Sequence, residues 1–219
     1  MSEFAVIFDM DGVMVDNFEY HYKAWLEFLN RHGLDITRDQ LRTLFFGRGN
    51  SEIFDILFKR PLSPEESLSL SMEKEQLYRD IYSSEVNLVD GLKDFLSELS
   101  SNNIPTAIAT SAPMENVDFV IRETGLDHAF RAIIDSSMVS KAKPDPGIYL
   151  TAAAALGKEP RDCIVIEDSL NGIRSAQRAG MKVVALTTSH GRDELDEVDM
   201  VIDDFSQITI GDLRMMNND

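Results

Sequence analysis

The chain has 219 residues, of which 43% are hydrophobic and 27% charged, and its formal net charge at neutral pH is −17. This composition indicates a globular protein with room for a full core and a smaller second domain, and it argues against intrinsic disorder. The strong negative charge disfavours nucleic acids and anionic membranes as partners, so any phosphate site must draw on local cations and backbone N–H groups.

The sequence shows no pattern of a membrane span or a signal peptide, and it contains a single cysteine. No apolar run approaches the roughly 18 residues that would span a bilayer, and Met1-Ser2-Glu3 lacks the basic stretch that opens a signal peptide. We therefore expect a cytoplasmic protein with no membrane partner. The single cysteine, Cys163, cannot form an intrachain disulfide, and its apolar neighbours predict a buried strand residue. No feature of the sequence indicates an oligomer, and we expect a monomer.

The first predicted element is a strand at residues 4–8, a continuous run of β-forming apolar residues typical of a strand buried on both faces. Asp9 and Asp11 follow it, one residue apart, and then Gly12. Alternate residues of an extended backbone face the same side, so both carboxylates can point into one volume at the carboxyl end of the strand. A divalent metal or a proton would relieve their repulsion.

The same residues have a second interpretation, because Asp-Gly between apolar runs is also a strong signal for a β-hairpin turn. At this point both interpretations stay open. An EF-hand calcium loop is excluded, since Gly12 comes too early for the ligand spacing of that loop.

A helical stretch follows the first strand. Asn17 is a good N-cap for a helix that Gly33 would end, and weaker signals lead to a second helix around residues 53–57. Ser63-Pro64-Glu65-Glu66 places an N-cap, a proline at the first helical position and an acid three residues after the cap, which predicts a helix through Ile81. No strand pattern occurs between residues 17 and 84, which predicts a separate all-helical insertion.

From Val86 onward, helices alternate with short apolar strands, the pattern of βαβ units in a parallel sheet. The predicted strands are 105–110, 132–135, 163–166, 183–186 and 200–202, the predicted helices are 92–99, 114–124, 148–156 and 172–179, and the polar tail 211–219 is predicted to fray. The prediction is an α/β fold with a discontinuous core domain of residues 1–15 and 86–219. A helical cap domain of residues 16–85 is inserted after the first strand, where it can act as a lid.

Polar residues recur where the predicted strands end. Thr110-Ser111 ends the second strand, Lys143 lies in a loop after the third, and Glu167-Asp168 ends the fourth. Taken singly, Ser111 can cap a helix, Lys143 can be a solvated loop residue, and Glu167-Asp168 can cap the next helix. A parallel sheet brings all these ends to one edge, where they would make a metal site with an anion pocket beside it.

The order and form of these residues resemble the haloacid dehalogenase superfamily. The matching motifs are Asp9-Met10-Asp11-Gly12-Val13, Thr110-Ser111, Lys143-Pro144-Asp145-Pro146, and Glu167-Asp168-Ser169 with Asn171-Gly172. The resemblance covers nearly the whole chain and is strongest to the subgroup with a helical cap after the first motif, which includes β-phosphoglucomutase and many sugar-phosphate phosphatases. It implies a Rossmann-like three-layer core with a parallel sheet, plus the helical cap.

The resemblance also implies roles for the acids. Asp9 would be the nucleophile that forms an aspartyl-phosphate, and Asp11 would protonate the leaving alkoxide and then deprotonate the attacking water or hydroxyl. Mg²⁺ would be held by Asp9, the backbone carbonyl of Asp11 and Asp168, with Glu167 helping directly or through water.

The remaining motifs would hold the phosphoryl group. By the resemblance, Ser111, the adjoining Ala112 and Lys143 would bind its oxygens, and Lys143 would also shield the charge of Asp9 from a substrate of about −1.5 to −2. Asp11 argues against a true dehalogenase, because a halide leaving group needs no proton whereas an alkoxide does.

The choice between a phosphatase and a mutase depends on the predicted cap. His21 falls where β-phosphoglucomutases carry a cap-hinge histidine, although it also fits a partly buried helix residue. In those enzymes a lysine precedes a glycine in the cap, but residues 46–50 read FGRGN, which leaves Arg48 as the nearby cation for a second phosphate. We therefore predict a Mg²⁺-dependent phosphatase of a small phosphorylated metabolite, a sugar phosphate, with a β-phosphoglucomutase-like isomerase as the alternative. A third hypothesis is an inactive binding protein, which Asp9-dependent phosphate release would exclude.

Overall fold

The computed structural model describes residues 4–37, 40–41, 49–195 and 197–218. The chain divides into two compact units, one formed by Met1–Asp16 with Asn87–Asp219 and the other by Asn17–Val86. We call them the core unit and the helical unit. Within the described ranges, none of the helices has the combination of length and apolar character that crossing a bilayer requires.

The core unit contains a parallel sheet. Its strands are β1 Ala5–Phe8, β2 Thr106–Ala109, β3 Ala132–Ile134, β4 Cys163–Glu167, β5 Lys182–Leu186 and β6 Met200–Ile202. They lie in the order β3-β2-β1-β4-β5-β6, and every neighbouring pair is parallel. The fully buried β1 lies between β2 and β4. The predicted parallel α/β sheet is confirmed, and the hairpin interpretation of Asp11-Gly12 is wrong, because no antiparallel strand follows β1 in the described chain.

The described residues form eight α-helices. They are α1 Phe18–Arg31, α2 Asn50–Phe58, α3 Pro64–Tyr82, α4 Leu92–Ser101, α5 Met114–Thr124, α6 Gly147–Leu156, α7 Leu170–Arg178 and α8 Ile210–Asn218. The first three belong to the helical unit and the rest to the core unit.

Helices cover both faces of the sheet because alternate strand residues point to opposite sides. On one face, Ala5 and Ile7 of β1 pack in an apolar cluster with residues of α6 and α7, among them Ile148 and Ile173. On the other face, the ring of Phe8 lies 6.4 Å from that of Phe95 in α4. The three-layer Rossmann-like arrangement is therefore confirmed.

The end of the chain differs from the prediction, because the tail predicted to fray forms α8. The Thr209 hydroxyl and backbone N–H both donate to Asp212, whose own N–H donates back to the Thr209 hydroxyl. This reciprocal cap starts the helix, and Ile210, Leu213 and Met216 are buried at spacings that share one helix face. The many polar residues of this segment conceal the periodicity of its three buried positions.

The helical unit has an aromatic core. Trp25 and Phe28 of α1 both lie 5.3 Å, ring centre to ring centre, from Phe54 of α2. The predicted capping box at the start of α3 is confirmed, with Ser63 and Glu66 bonded reciprocally. The predicted role of the Asn17 side chain is wrong: α1 does begin after Asn17, but that side chain makes no capping bond and instead donates to the Tyr78 hydroxyl at 2.6 Å.

Candidate active site

Asp9 and Asp11 lie in the turn that follows β1. The Asp9 amide donates to the carbonyl of Ile166 in β4 at 3.0 Å, which fixes the start of the turn against the neighbouring strand. Gly12 then adopts a positive φ of 78°, which favours glycine, and its amide donates to the Val15 carbonyl. Asp9 is buried and Asp11 half-buried, and the charge of Asp11 acts on Asp9.

Lys143 is the main cationic partner of Asp9. Its ammonium donates to Asp9 Oδ1 at 2.8 Å, to Glu167 Oε1 at 2.7 Å and to the carbonyl of Ala109 at 3.2 Å. Only 7% of its side chain is exposed, so the interpretation as a solvated loop residue is wrong. One lysine thus connects the ends of β1, β2 and β4.

Glu167 and Asp168 occupy the end of β4. The cap of α7 is Ser169, whose hydroxyl accepts from the Gly172 amide at 3.0 Å, so the two acids themselves are not the helix cap. Asp168 accepts a short hydrogen bond from Ser189. Both acids are buried.

Three acids of the core unit form a cluster, since Asp9, Glu167 and Asp168 each offer a carboxylate oxygen within 4.8 Å of the others. Burial is the largest cause that raises the pKa of Asp9 to about 7, and the charges of Glu167 and Asp11 add to it against the lowering effect of Lys143. Burial, and next the charge of Glu167, raise the pKa of Asp168 well above its usual range. Burial acts in the same direction on Glu167, but contacts with Lys143 outweigh it and lower that pKa. Three buried carboxylates beside one ammonium leave an excess of negative charge, which a hard cation with oxygen ligands would neutralise.

The residues predicted to bind phosphate follow β2. Ser111 is exposed, and it does not cap α5, because the residue at that cap position is Pro113. The Ala112 amide donates to the Thr110 hydroxyl at 3.1 Å, so this N–H is already used. Ser111 therefore remains the candidate with an available donor at this strand end.

The loop after β5 also contributes to the site, which was not predicted. Ser189 bonds Asp168, and the Thr188 hydroxyl donates to the Gly12 carbonyl at 2.5 Å. The signal was present, because Thr187, Thr188 and Ser189 directly follow a buried strand, as the other site residues do. It was passed over because no charged residue marks it.

In the helical unit, His21 belongs to a buried polar group. Its Nδ1 lies 2.8 Å from Lys74 Nζ, its ring stacks on Tyr78 at 3.9 Å, and Lys74 also donates to Glu75 at 2.9 Å. Burial acts to raise the pKa of Glu75, but Lys74, His21 and a hydrogen bond from Asn50 lower it to about 2. His21 was a predicted site residue, whereas Lys74 and Glu75 were not, because in the sequence they resemble surface charges of a polar helix. Arg48, the other predicted residue of this unit, lies outside the described residues.

The fold and the cluster together define an α/β protein with a candidate metal and anion site at the carboxyl edge of its parallel sheet. A model of the haloacid dehalogenase-like hydrolases matches residues 6–186, and the chain therefore belongs to this family.

Individual relatives agree with that assignment. The chain is 30% identical over 205 residues to validoxylamine A 7′-phosphate phosphatase from Streptomyces hygroscopicus subsp. limoneus, a match that covers 93% of this chain and 95% of the relative. It is 32% identical over 212 residues to β-phosphoglucomutase from Bacillus subtilis, covering 94% and 92%. Among solved structures, a family IA hydrolase from Entamoeba histolytica superimposes with a TM-score of 0.91 at 30% identity, covering 98% of this chain and 99% of that one.

Proposed function

We propose that this chain is a Mg²⁺-dependent phosphatase of a small phosphorylated metabolite, a sugar phosphate, which works through an aspartyl-phosphate on Asp9. The observation that carries the proposal is the buried cluster in which Asp9 lies beside Lys143 and two further carboxylates. A phosphatase and a phosphoglucomutase among the relatives support phosphoryl chemistry at such a cluster.

The cluster fits a divalent metal. Its donors are carboxylate oxygens, which Mg²⁺ prefers, and their charge exceeds what Lys143 balances. Asp9, Asp168 and the backbone carbonyl of Asp11 would hold the ion, with Glu167 as a further candidate. When bound, the metal would neutralise charge on the phosphoryl oxygens.

Asp9 would carry out the first half of the reaction. One of its carboxylate oxygens attacks phosphorus while the bond between phosphorus and the ester oxygen breaks, and Asp11 gives its proton to the departing alkoxide. Lys143, at 2.8 Å from Asp9 Oδ1, reduces the repulsion between this carboxylate and the dianionic ester. The exposed hydroxyl of Ser111 would donate to a phosphoryl oxygen.

Asp11 would serve again in the second half. Its carboxylate, left after the first step, takes a proton from a water molecule that attacks phosphorus, and the bond between phosphorus and Asp9 breaks. Inorganic phosphate leaves, Asp9 is free, and Asp11 is protonated for the next cycle. Asp11 is half-buried, so a water molecule could reach its carboxylate.

A phosphate-release screen over sugar phosphates, nucleotides and other small phosphoesters tests the proposal, with and without Mg²⁺. We expect release that needs Mg²⁺, with sugar phosphates among the best substrates, and that disappears in Asp9→Asn. Trapping of ³²P on the wild-type chain, and its absence in Asp9→Asn, would identify the intermediate. Release that survives in Asp9→Asn would contradict the mechanism.

A second candidate is a phosphosugar mutase, which the β-phosphoglucomutase relative and the position of His21 in α1 favour. A mutase returns the phosphoryl group to a sugar hydroxyl instead of to water. In a coupled assay with β-glucose 1-phosphate, primer-dependent formation of glucose 6-phosphate with little free phosphate would establish this candidate and overturn the phosphatase.

A further inference from the structure

Asp11 lies in a turn beyond the end of β1, whereas Asp9 is still bonded to a neighbouring strand. The Asp9 amide donates to a carbonyl of β4 at 3.0 Å. The turn itself is closed by the Gly12 amide, which donates to the Val15 carbonyl at 2.8 Å. The position of Asp11 therefore depends more than that of Asp9 on contacts that reach this turn from other parts of the core unit.

The residue bonded to Asp11 cannot be held by a side chain of its own, because it is Gly12. Its φ of 78° favours glycine, and a Cβ added there would lie 1.9 Å from Asp168 Oδ2. Any other residue would have to displace that carboxylate. Gly12 is therefore fixed by contacts of its backbone, and a hydrogen bond to its carbonyl acts directly on the turn that carries Asp11.

Such a hydrogen bond comes from the loop after β5. The hydroxyl of Thr188 donates to the Gly12 carbonyl at 2.5 Å, although the two residues are 176 positions apart in the sequence. The residues on either side of Thr188 are bonded as well, since the Thr187 hydroxyl donates to Asp203 Oδ1 at 2.8 Å and Ser189 donates to a carboxylate of the acid cluster. Thr188 thus contacts the turn from a loop that is anchored on both sides of it.

We propose that Thr188 is a positioning residue for Asp11: its hydrogen bond to the Gly12 carbonyl holds the turn where the Asp11 carboxyl can pass a proton to the departing alkoxide. The inference rests on the proposed function. Proton transfer needs heavy atoms about 2.6 to 3.2 Å apart, so a small displacement of the turn slows it. Attack on phosphorus by Asp9 depends on other contacts and should change less.

Two aryl phosphates separate these effects. Phenolate is a much stronger base than 4-nitrophenolate, so the departure of phenol from phenyl phosphate depends more on a proton from Asp11. Both esters give the same aspartyl-phosphate, and its hydrolysis is therefore common to them. The rate at which the phenol is released in the first turnover, measured by stopped flow at saturating Mg²⁺, reports the step that differs.

Thr188→Val removes the hydroxyl and keeps the branched shape of the side chain. We expect it to lower the first-turnover rate about tenfold or more with phenyl phosphate and less than about threefold with 4-nitrophenyl phosphate. Thr188→Ser keeps the hydroxyl and should restore both rates to within about threefold of the wild type. The matched control is Thr187→Val, which removes a hydroxyl of the same loop and should leave the ratio of the two rates unchanged. An equal fall with both esters in Thr188→Val, or no rescue by Thr188→Ser, would overturn the inference.

Hydrogen exchange tests the same contact without turnover. Mass spectrometry of a peptide that covers residues 9–16 should show the amides of the turn exchanging about fivefold faster in Thr188→Val than in the wild type or in Thr187→Val. Equal exchange in the three proteins would overturn the positioning role. A wild-type chain that releases phenol from neither ester would refute the proposed function alone, and the exchange rates would still decide whether Thr188 holds the turn.

Discussion

Replacing Gly172 with alanine should destabilise the core unit although alanine is the better helix former. Gly172 lies in α7, where the exchange alone would gain up to about 1 kcal/mol. The added Cβ, however, would lie 1.6 Å from Glu167 Oε1, about 1.8 Å short of ordinary contact at 3.4 Å. The backbone amides on its other oxygen leave this buried carboxylate little room to retreat.

The size of the expected loss of stability follows from the hydrogen bonds and the ion pair that the displaced Glu167 carboxylate would lose. Glu167 accepts charge-assisted bonds from Lys143 and from the turn at Ser169, and removing one partner of a buried ion pair costs about 3 to 5 kcal/mol, which we take as the upper range for displacing this carboxylate. After the helix-propensity gain is subtracted, we expect the free energy of unfolding to fall by about 2 to 4 kcal/mol. In a chain of this size that lowers Tm by roughly 5 to 15 °C.

Gly211→Ala is the matched control, because Gly211 also lies in a helix and its added Cβ would meet nothing closer than Thr209 Oγ1 at 3.4 Å. Urea unfolding followed by circular dichroism should show Gly211→Ala to be neutral or slightly stabilised and Gly172→Ala to be destabilised. Phosphate release should fall in Gly172→Ala alone. If Gly172→Ala were as stable as Gly211→Ala, the carboxylate would be free to move, and the reasoning about Glu167 would be wrong.

Three further predictions address other parts of the molecule. Asp9→Asn should reduce phosphate release to background without lowering Tm, because it removes one charge from a cluster with excess negative charge; a large loss of Tm would contradict this. Ser189→Ala should weaken Mg²⁺ binding about tenfold by releasing Asp168, and unchanged calorimetric affinity would refute the role of this loop. Glu75 has a folded-state pKa of about 2 against an ordinary 4.5, so its stabilisation, about 3 kcal/mol, is full above pH 4.5 and disappears as the pH falls toward 2. The stability difference between wild type and Glu75→Gln, measured by urea unfolding, should shrink over that interval, and a constant difference would contradict the lowered pKa.

The strands of the core unit were predictable because each is a short apolar run, and β1, β2 and β4 are buried along their whole length. The site residues at strand ends were predictable for a related reason: a parallel sheet brings the carboxyl ends of its strands to one edge, as the contacts of Lys143 with Asp9 and Glu167 illustrate.

What the sequence did not reveal depends on contacts between distant residues. Lys74 and Glu75 read as solvated charges, and only the approach of His21 and Asn50 from other helices explains their burial. The hydrogen-bond load on Glu167 likewise comes partly from Tyr149, which reads as an ordinary apolar helix position. The helix at the end of the chain was an avoidable error, since its cap and its periodicity are both local.

The central position of β1 has a consequence for the nascent chain. Val6 pairs with Thr106 on one side and with Ile164 on the other, so both partners leave the ribosome long after the strand they flank. During synthesis, the apolar strand β1 emerges well before its sheet partners, and the residues of the helical unit emerge between them. The pairing of β1 on both of its sides can therefore be completed only after β4 has been synthesised.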